Sequence, residues 1–182
     1  MIFLSKQISN MRKEFKVEWD SEIRLMNDLK NTLLSRNLNA SNVLIVTVST
    51  DYSSIIGQYL RHQLTNKGEI CDGFGIDVPY PDQSFDQKFV KEIHDMFNIH
   101  ADSIVDKKIL LVEAGVIRGG NYIKVVDIIK NELNITQPVL TLTMYENIHS
   151  KWKSDFVGEY YDNETEDLTF WWETYNNHWV NQ

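Results

Sequence analysis

The chain has 182 residues and 21.3 kDa, the size of one domain with a full core. A hydrophobic fraction of 42% and an aromatic fraction of 12% exclude whole-chain disorder. The net charge is −8, and the nearest thing to a basic cluster is Lys151 with Lys153 and the Lys107–Lys108 pair, so nucleic acid is not an expected partner. One small phosphorylated ligand in a local pocket is still compatible with that charge.

No apolar run reaches the ~18–20 residues of a membrane helix, and no membrane association is expected. The N-terminal MIFLSKQISNMRKEF turns polar after four residues and lacks a signal-peptide core. Cys71 is the single cysteine, which excludes a disulfide framework and suggests a small buried thiol. A reducing, cytoplasmic setting is the expectation. The five histidines show no metal-ligand spacing with one another.

In chain order, Asp20 to Ser35 carries Ile23, Met26, Leu29 and Leu33 at helical spacing, with Asp20 or Ser21 as cap. Val43 to Val48 is a β-branched run, the pattern of a strand buried on both faces. Ser53 to Asn66 predicts a helix with Ile55, Ile56, Tyr59, Leu60 and Leu64 inward and Gly68 as its stop; Asp51 suits its N-cap. Ser84 to Phe97 repeats the theme with Phe85, Phe89, Ile93 and Phe97. Ile109 to Val112 predicts a second buried strand ending at Glu113, then a Gly-rich stretch to Gly120 and a helix from about Asn121 to Leu133. Val139 to Met144 is a third strand, and Phe156 to Tyr161 and Leu168 to Trp172 are shorter β-like pieces. Strand–helix alternation predicts an α/β fold, a parallel sheet flanked by helices. Ligands on such sheets bind at the carboxyl ends of strands, here Ser49–Ser53 and Glu113–Asn121.

The second of these exits is the more informative. Arg118-Gly119-Gly120-Asn121 joins a buried strand to an amphipathic helix. Consecutive glycines let backbone approach a ligand, and the free N–H groups of a helix start favour an anion. Asn121 suits the cap. The same residues also suit a plain strand–turn–helix joint. Neither the P-loop pattern nor the GxGxxG fingerprint is present.

This stretch resembles the signature of type I phosphoribosyltransferases, in which a hydrophobic strand runs into an acidic pair and a Thr-Gly-Gly-Thr-like phosphate loop. The resemblance covers most of the chain. Phe15 to Asp20 before an amphipathic helix is similar to the N-terminus of the xanthine/hypoxanthine(-guanine) branch. Val43 to Leu64 is similar to its strand, pyrophosphate loop and helix. Ser150 to Phe156 and Leu168 to Glu173 are similar to its C-terminal base-binding hood. The resemblance implies a single domain over 1–182, with a core over about 15–145 and a small C-terminal hood and tail over 146–182. It implies transfer of 5-phosphoribose from phosphoribosyl pyrophosphate to a 6-oxopurine, with Mg²⁺. It implies roles for Glu113 (catalysis and Mg²⁺), for Arg118, Gly119, Gly120 and Asn121 (5-phosphate), for Ser49, Thr50, Asp51 and Tyr52 (pyrophosphate loop), and for Leu168, Trp172 and Glu173 (base).

The chain departs from that pattern where the chemistry is done. The acidic pair is Glu113-Ala114, so one sugar-holding carboxylate is gone. The proton-handling Asp of purine members is matched by Ile117. The two Thr of the phosphate loop are matched by Arg118 and Asn121, which still donate hydrogen bonds. The Ser-Arg-Gly-Gly of the pyrophosphate loop reads Ser49-Thr50-Asp51-Tyr52, which removes an arginine and adds a negative charge. Glu146 and Asn147 stand near the position of a base-contacting Lys, and Asp167 or Leu168 near that of the stacking aromatic. Three functions follow: a purine phosphoribosyltransferase with weak or lost activity, a non-catalytic nucleotide- or phosphate-binding regulatory module, or a structural protein whose aromatic tail from Phe170 to Trp179 forms an oligomer surface. A homo-oligomer is the expected state.

Overall fold

The computed structural model describes residues 13–48, 52–65, 69–78 and 87–170. Strand β1 (Lys13–Val17) leads into helix α1 (Trp19–Ser35), then β2 (Val43–Val48), α2 (Tyr52–Leu64) and β3 (Gly73–Ile76). Helices α3 (Gln87–Ile99) and α4 (Ala101–Ile104) precede β4 (Lys108–Val116) and α5 (Gly120–Asp127), which runs on as a π-helical stretch over Ile128–Glu132. Strands β5 (Val139–Asn147), β6 (Phe156–Tyr161) and β7 (Glu166–Phe170) follow. A five-stranded sheet has the order β3-β2-β4-β5-β6, every pairing parallel. A second, two-stranded parallel sheet joins β1 to β7.

The α/β architecture is therefore as expected, and Val43–Thr47 pairs in parallel with Lys108–Val112. All six residues of β2 are buried, as a strand covered on both faces requires. One face packs on α1 and α2 through Met26, Leu29, Leu33, Ile56, Leu60 and Leu142. The other packs on α3, α4 and α5 through Ile93, Phe97, Ile104, Tyr122, Val125 and Ile129. Gly57 lets α2 lie close on β2, because a Cβ there would collide with Thr47 Cγ2.

Several expectations are corrected. The N-cap of α1 is Glu18, with Asp20 and Ser21 inside the first turn, where the charge of Asp20 is favourable to the helix dipole without a capping bond. Ile55 is 46% exposed, because the inward face of α2 is set by Tyr52, Ile56, Leu60 and Leu64. Strand β4 does not end at Glu113: β5 extends to Asn147, and pairing with it carries β4 on to Val116. Strand β3 adds an edge that the predicted elements do not include. The helix stop at Gly68, the cap at Asp51, the start of α3 at Ser84 with Phe85, and the C-terminal aromatics from Trp171 lie outside the described residues.

The β5–β6 connection shapes the site. Parallel neighbours normally need a crossover of a dozen or more residues, usually a helix. Here residues 148–155 return alone, over a register step from Asn147↔Tyr161 to Leu142↔Phe156. An extended segment covers up to about 3.3–3.6 Å per residue, enough for that step. The returning segment is pinned to β5: Trp152 Nε1 donates to Thr141 Oγ1 at 3.1 Å, and Asp155 Oδ2 accepts from Thr141 N at 2.8 Å. Among the described residues, no helix is long and apolar enough to cross a membrane.

Candidate active site

The end of β4 and the start of α5 build the site. After Val116 the chain turns through Ile117 and Arg118 to Gly119, whose φ of 77° is left-handed and favours glycine. Space demands glycine there too: a Cβ would strike Trp152 Cβ, with Trp152 N at 2.8 Å and Ser150 Oγ at 2.9 Å. Gly119 is the helix N-cap, not Asn121, and it offers no capping side chain. Among the described residues, no acceptor meets the amides of Arg118, Gly119, Gly120, Asn121 or Tyr122. A Cβ on Gly120 would meet nothing within 4 Å, so that side of the turn is open. The result is a set of N–H groups without a described acceptor at a helix start, an arrangement that favours an anion.

The amide side chain of Asn121, freed from capping, turns inward. Its Nδ2 donates to Glu113 Oε1 at 2.8 Å across the turn. Glu113 is buried on the α5 side of β4. Burial pushes its carboxyl up to about 7, against the smaller opposing effect of the Asn121 hydrogen bond. The turn thus brings Asn121 of the Arg118–Asn121 loop into contact with Glu113. Ala114, on the other face, donates its N–H to Ser53 Oγ at 3.0 Å, which ties the β4 end to the start of α2. Tyr52, the described member of the predicted pyrophosphate loop, opens α2 with its ring in the core; Ser49, Thr50 and Asp51 lie outside the described residues. Leu168 lies on β7 opposite Phe15 and packs against the α1-side core. Trp172 and Glu173 lie outside the described residues.

The donor set does not fit Mg²⁺. That ion needs near-octahedral, hard oxygen ligands. Among the described residues at this site there is one carboxyl, with its Oε1 already accepting from Asn121, and its neighbour is the methyl of Ala114. No chemical step is assigned to a metal here.

Three residues support the turn: Tyr122, which the sequence pattern does not single out, and Trp152 and Asn147, which the resemblance places in or beside the hood and not under the turn. Tyr122, fully buried, donates to Leu142 O at 2.5 Å and anchors the first turn of α5 to β5. Trp152 packs behind Gly119, its ring 6.0 Å from that of Tyr122. Asn147 Nδ2 donates to Ile117 O at 2.8 Å and holds the outer arm of the turn. The polar–aromatic signal was present in the sequence, but the returning segment that brings Trp152 under Gly119 was not.

No protein-family model matches the chain, and no curated protein does. Solved structures do. The chain is similar to a purine phosphoribosyltransferase from Pyrococcus horikoshii Ot3, with TM-score 0.61 and 17% identity over 89% of this chain and 94% of that one. It is similar to the Helicobacter pylori xanthine-guanine-hypoxanthine phosphoribosyltransferase, with TM-score 0.58 and 11% identity over 92% of this chain and 98% of that one. The strand order, the Gly turn after β4 and these neighbours together give the chain the type I phosphoribosyltransferase fold.

Proposed function

We propose that the chain binds a purine nucleotide or a related phosphorylated sugar through the Gly119–Asn121 turn, and that it transfers phosphoribose weakly or not at all. The observation that carries the binding half is the row of unpartnered amides from Arg118 to Tyr122 beside the open flank of Gly120. The purine phosphoribosyltransferases that share the fold handle ligands of this class. Loss of chemistry follows from the neighbours of the turn. Transfer breaks the bond from ribose C1′ to pyrophosphate and forms one to a purine nitrogen, so positive charge develops on the sugar while a proton leaves the base. Electrostatic stabilisation and a positioned base are the usual aids. Ala114 and Ile117 supply neither, and Ile117 is 45% exposed, with nothing to donate or accept in its side chain. A lost acid–base group costs ~10²–10⁴-fold in rate, enough to bring a modest enzyme near the limit of detection.

One observation favours a second reading, a transferase with altered base choice. Burial pushes the Glu113 carboxyl, which sits beside the turn and holds Asn121, up to about 7, the range suited to a general base.

Calorimetry with GMP, IMP, XMP and phosphoribosyl pyrophosphate, each with and without Mg²⁺, tests the proposal alongside steady-state assays with guanine, hypoxanthine and xanthine. Nucleotide binding that is indifferent to Mg²⁺ is expected. A kcat of roughly 1 s⁻¹ or more would establish the transferase reading instead.

A further inference from the structure

A cluster of metal-ligating side chains lies away from the Gly turn, where the β5–β6 and β6–β7 connections meet. His149 stands just past the end of β5, and Asp162 and Glu164 lie in the turn between β6 and β7. One ligand atom from each falls within 4.8 Å of the other two. His149 Nε2 is 3.2 Å from Asp162 Oδ1.

Two features outside the cluster hold these segments at a fixed separation. Asn147, 2% exposed, accepts from the backbone N–H of His149 at 3.2 Å and from that of Asn163 at 3.4 Å with the same Oδ1. Ile148 N donates to Tyr161 O at 2.9 Å, beside the same junction. The backbone on both sides of the cluster is therefore braced before any ion arrives, which lowers the ordering cost of binding. Asp162 is oriented in the same way: its Oδ1 accepts from Glu164 N at 2.9 Å, the kind of support that aims a ligating carboxylate.

We propose that His149, Asp162 and Glu164 bind one divalent transition cation, with Zn²⁺ the best fit, clipping the β5–β6 return segment to the β6–β7 turn. An imidazole with two carboxylates is a borderline set that suits Zn²⁺ or Co²⁺ better than Mg²⁺. Zn²⁺ sits about 2.0–2.2 Å from such ligands, so the three atoms must draw closer than in the free site, and the exposed Glu164 side chain has the freedom to follow. Water completes the coordination on the exposed side. The clip has a structural consequence. His149 adjoins Ser150, which packs on Gly119, and Thr165 beside Glu164 accepts from Lys13 N of β1 at 2.8 Å. A cation at this point fastens the two-stranded sheet to the segment that backs the phosphate turn.

The test is calorimetric titration of the full chain with Zn²⁺ and, separately, Mg²⁺ in a non-chelating buffer. One Zn²⁺ per chain is expected, reversed by EDTA, with no saturable Mg²⁺ binding over the same range. His149→Ala and Glu164→Gln should each weaken Zn²⁺ at least tenfold. His94→Ala removes a different surface histidine, 3.2 Å from Glu132, and should leave affinity unchanged. Both target side chains are exposed, and the His149–Asp162 pair that His149→Ala removes is a surface pair, so metal-free melting temperatures of the two variants should stay close to the parent's. Hydrogen exchange gives a readout independent of affinity: Zn²⁺ should slow exchange at residues 148–150 and 162–166. The proposal is overturned by absence of Zn²⁺ binding, by full affinity in His149→Ala, or by protection confined to other segments.

Discussion

Strands β4 and β5 lie side by side, and their ends are finished in opposite ways. At the end of β5, polar side chains reach into neighbouring segments. Glu146 Oε2 accepts from Ser154 N at 2.8 Å, and Asn147 holds Ile117 O together with the amides of His149 and Asn163. At the end of β4, among the described residues, Asn121 donates to Glu113 across the turn, while the backbone amides from Arg118 to Tyr122 face no described acceptor. One end is a brace and the other is left open. The lesson is about division of labour: amides are useful to a ligand only if something else holds the turn, and here β5 and its return segment do that holding.

The largest expected effect breaks the brace from the side of the turn. Gly119→Ala must adopt a left-handed φ and also displace Trp152 or Ser150. The first costs about 1–2 kcal/mol and the second about 1–3 kcal/mol. A loss of several kcal/mol in urea unfolding is expected, with nucleotide binding lost as well. A variant that unfolds like the parent would mean that the Trp152 wall does not press on the turn.

Next comes the buried carboxyl. Glu113 holds its proton more tightly folded than unfolded, its value raised by burial from 4.5 to about 7. The sign follows directly. Protonated Glu113 adds stability that is complete below about 4.5 and lost as pH rises through about 7. The span corresponds to roughly 3 kcal/mol. Glu113→Gln should flatten this part of the stability–pH curve and stabilise the protein at pH 8, measured by denaturant melts across that range. Asn121→Ala removes the hydrogen bond that opposes the shift, so an NMR titration of Glu113 should move further upward. No change in either variant would show the carboxyl to be solvated.

Cutting the brace from its own side has a smaller effect. Asn147→Ala strips partners from Ile117 O and from two amides in a buried setting, for about 1–3 kcal/mol. Fluorescence of a tryptophan-containing return segment and nucleotide affinity should both report the loosening. Unaltered stability would mean water replaces the side chain without cost.

These comparisons also explain what was legible in the sequence. The runs Val43–Val48 and Ile109–Val112 announced buried parallel strands because β-branched residues without polar interruption suit a sheet covered on both faces. The Gly turn was legible from composition alone. The role of Asn121 was not: a good cap residue two positions past the N-cap caps nothing, and its partner lies eight residues back on a strand longer than its apolar core suggests. Strand β3 was hidden by its glycines, although Phe74 and Ile76 alternate inward as an edge strand should. The β5–β6 return could not be read because parallel strands joined without a helix leave no periodic signal. Hydrophobicity alone puts Ile55 inward, yet a helix face is set by its neighbours and leaves some large apolar residues in water.

The smallest effect on folding is the sharpest test of the open end. Gly120 is the first residue of α5, its φ is not in the left-handed region, and an added Cβ meets no atom within 4 Å. Alanine is the better helix former by about 0.5–1 kcal/mol in a helix interior, and less at a first position where the amide is exposed in any case. Gly120→Ala should therefore fold as well as the parent or slightly better. Its methyl points into the space where a bound phosphate would lie against the amides, so phosphate and nucleotide affinity should fall at least tenfold. Gly119→Ala mixes folding with binding; Gly120→Ala separates them. If the melting temperature holds and calorimetry with GMP and inorganic phosphate also holds, the amides of this turn are not the anion site, and the open end of β4 is only the joint between a strand and a helix.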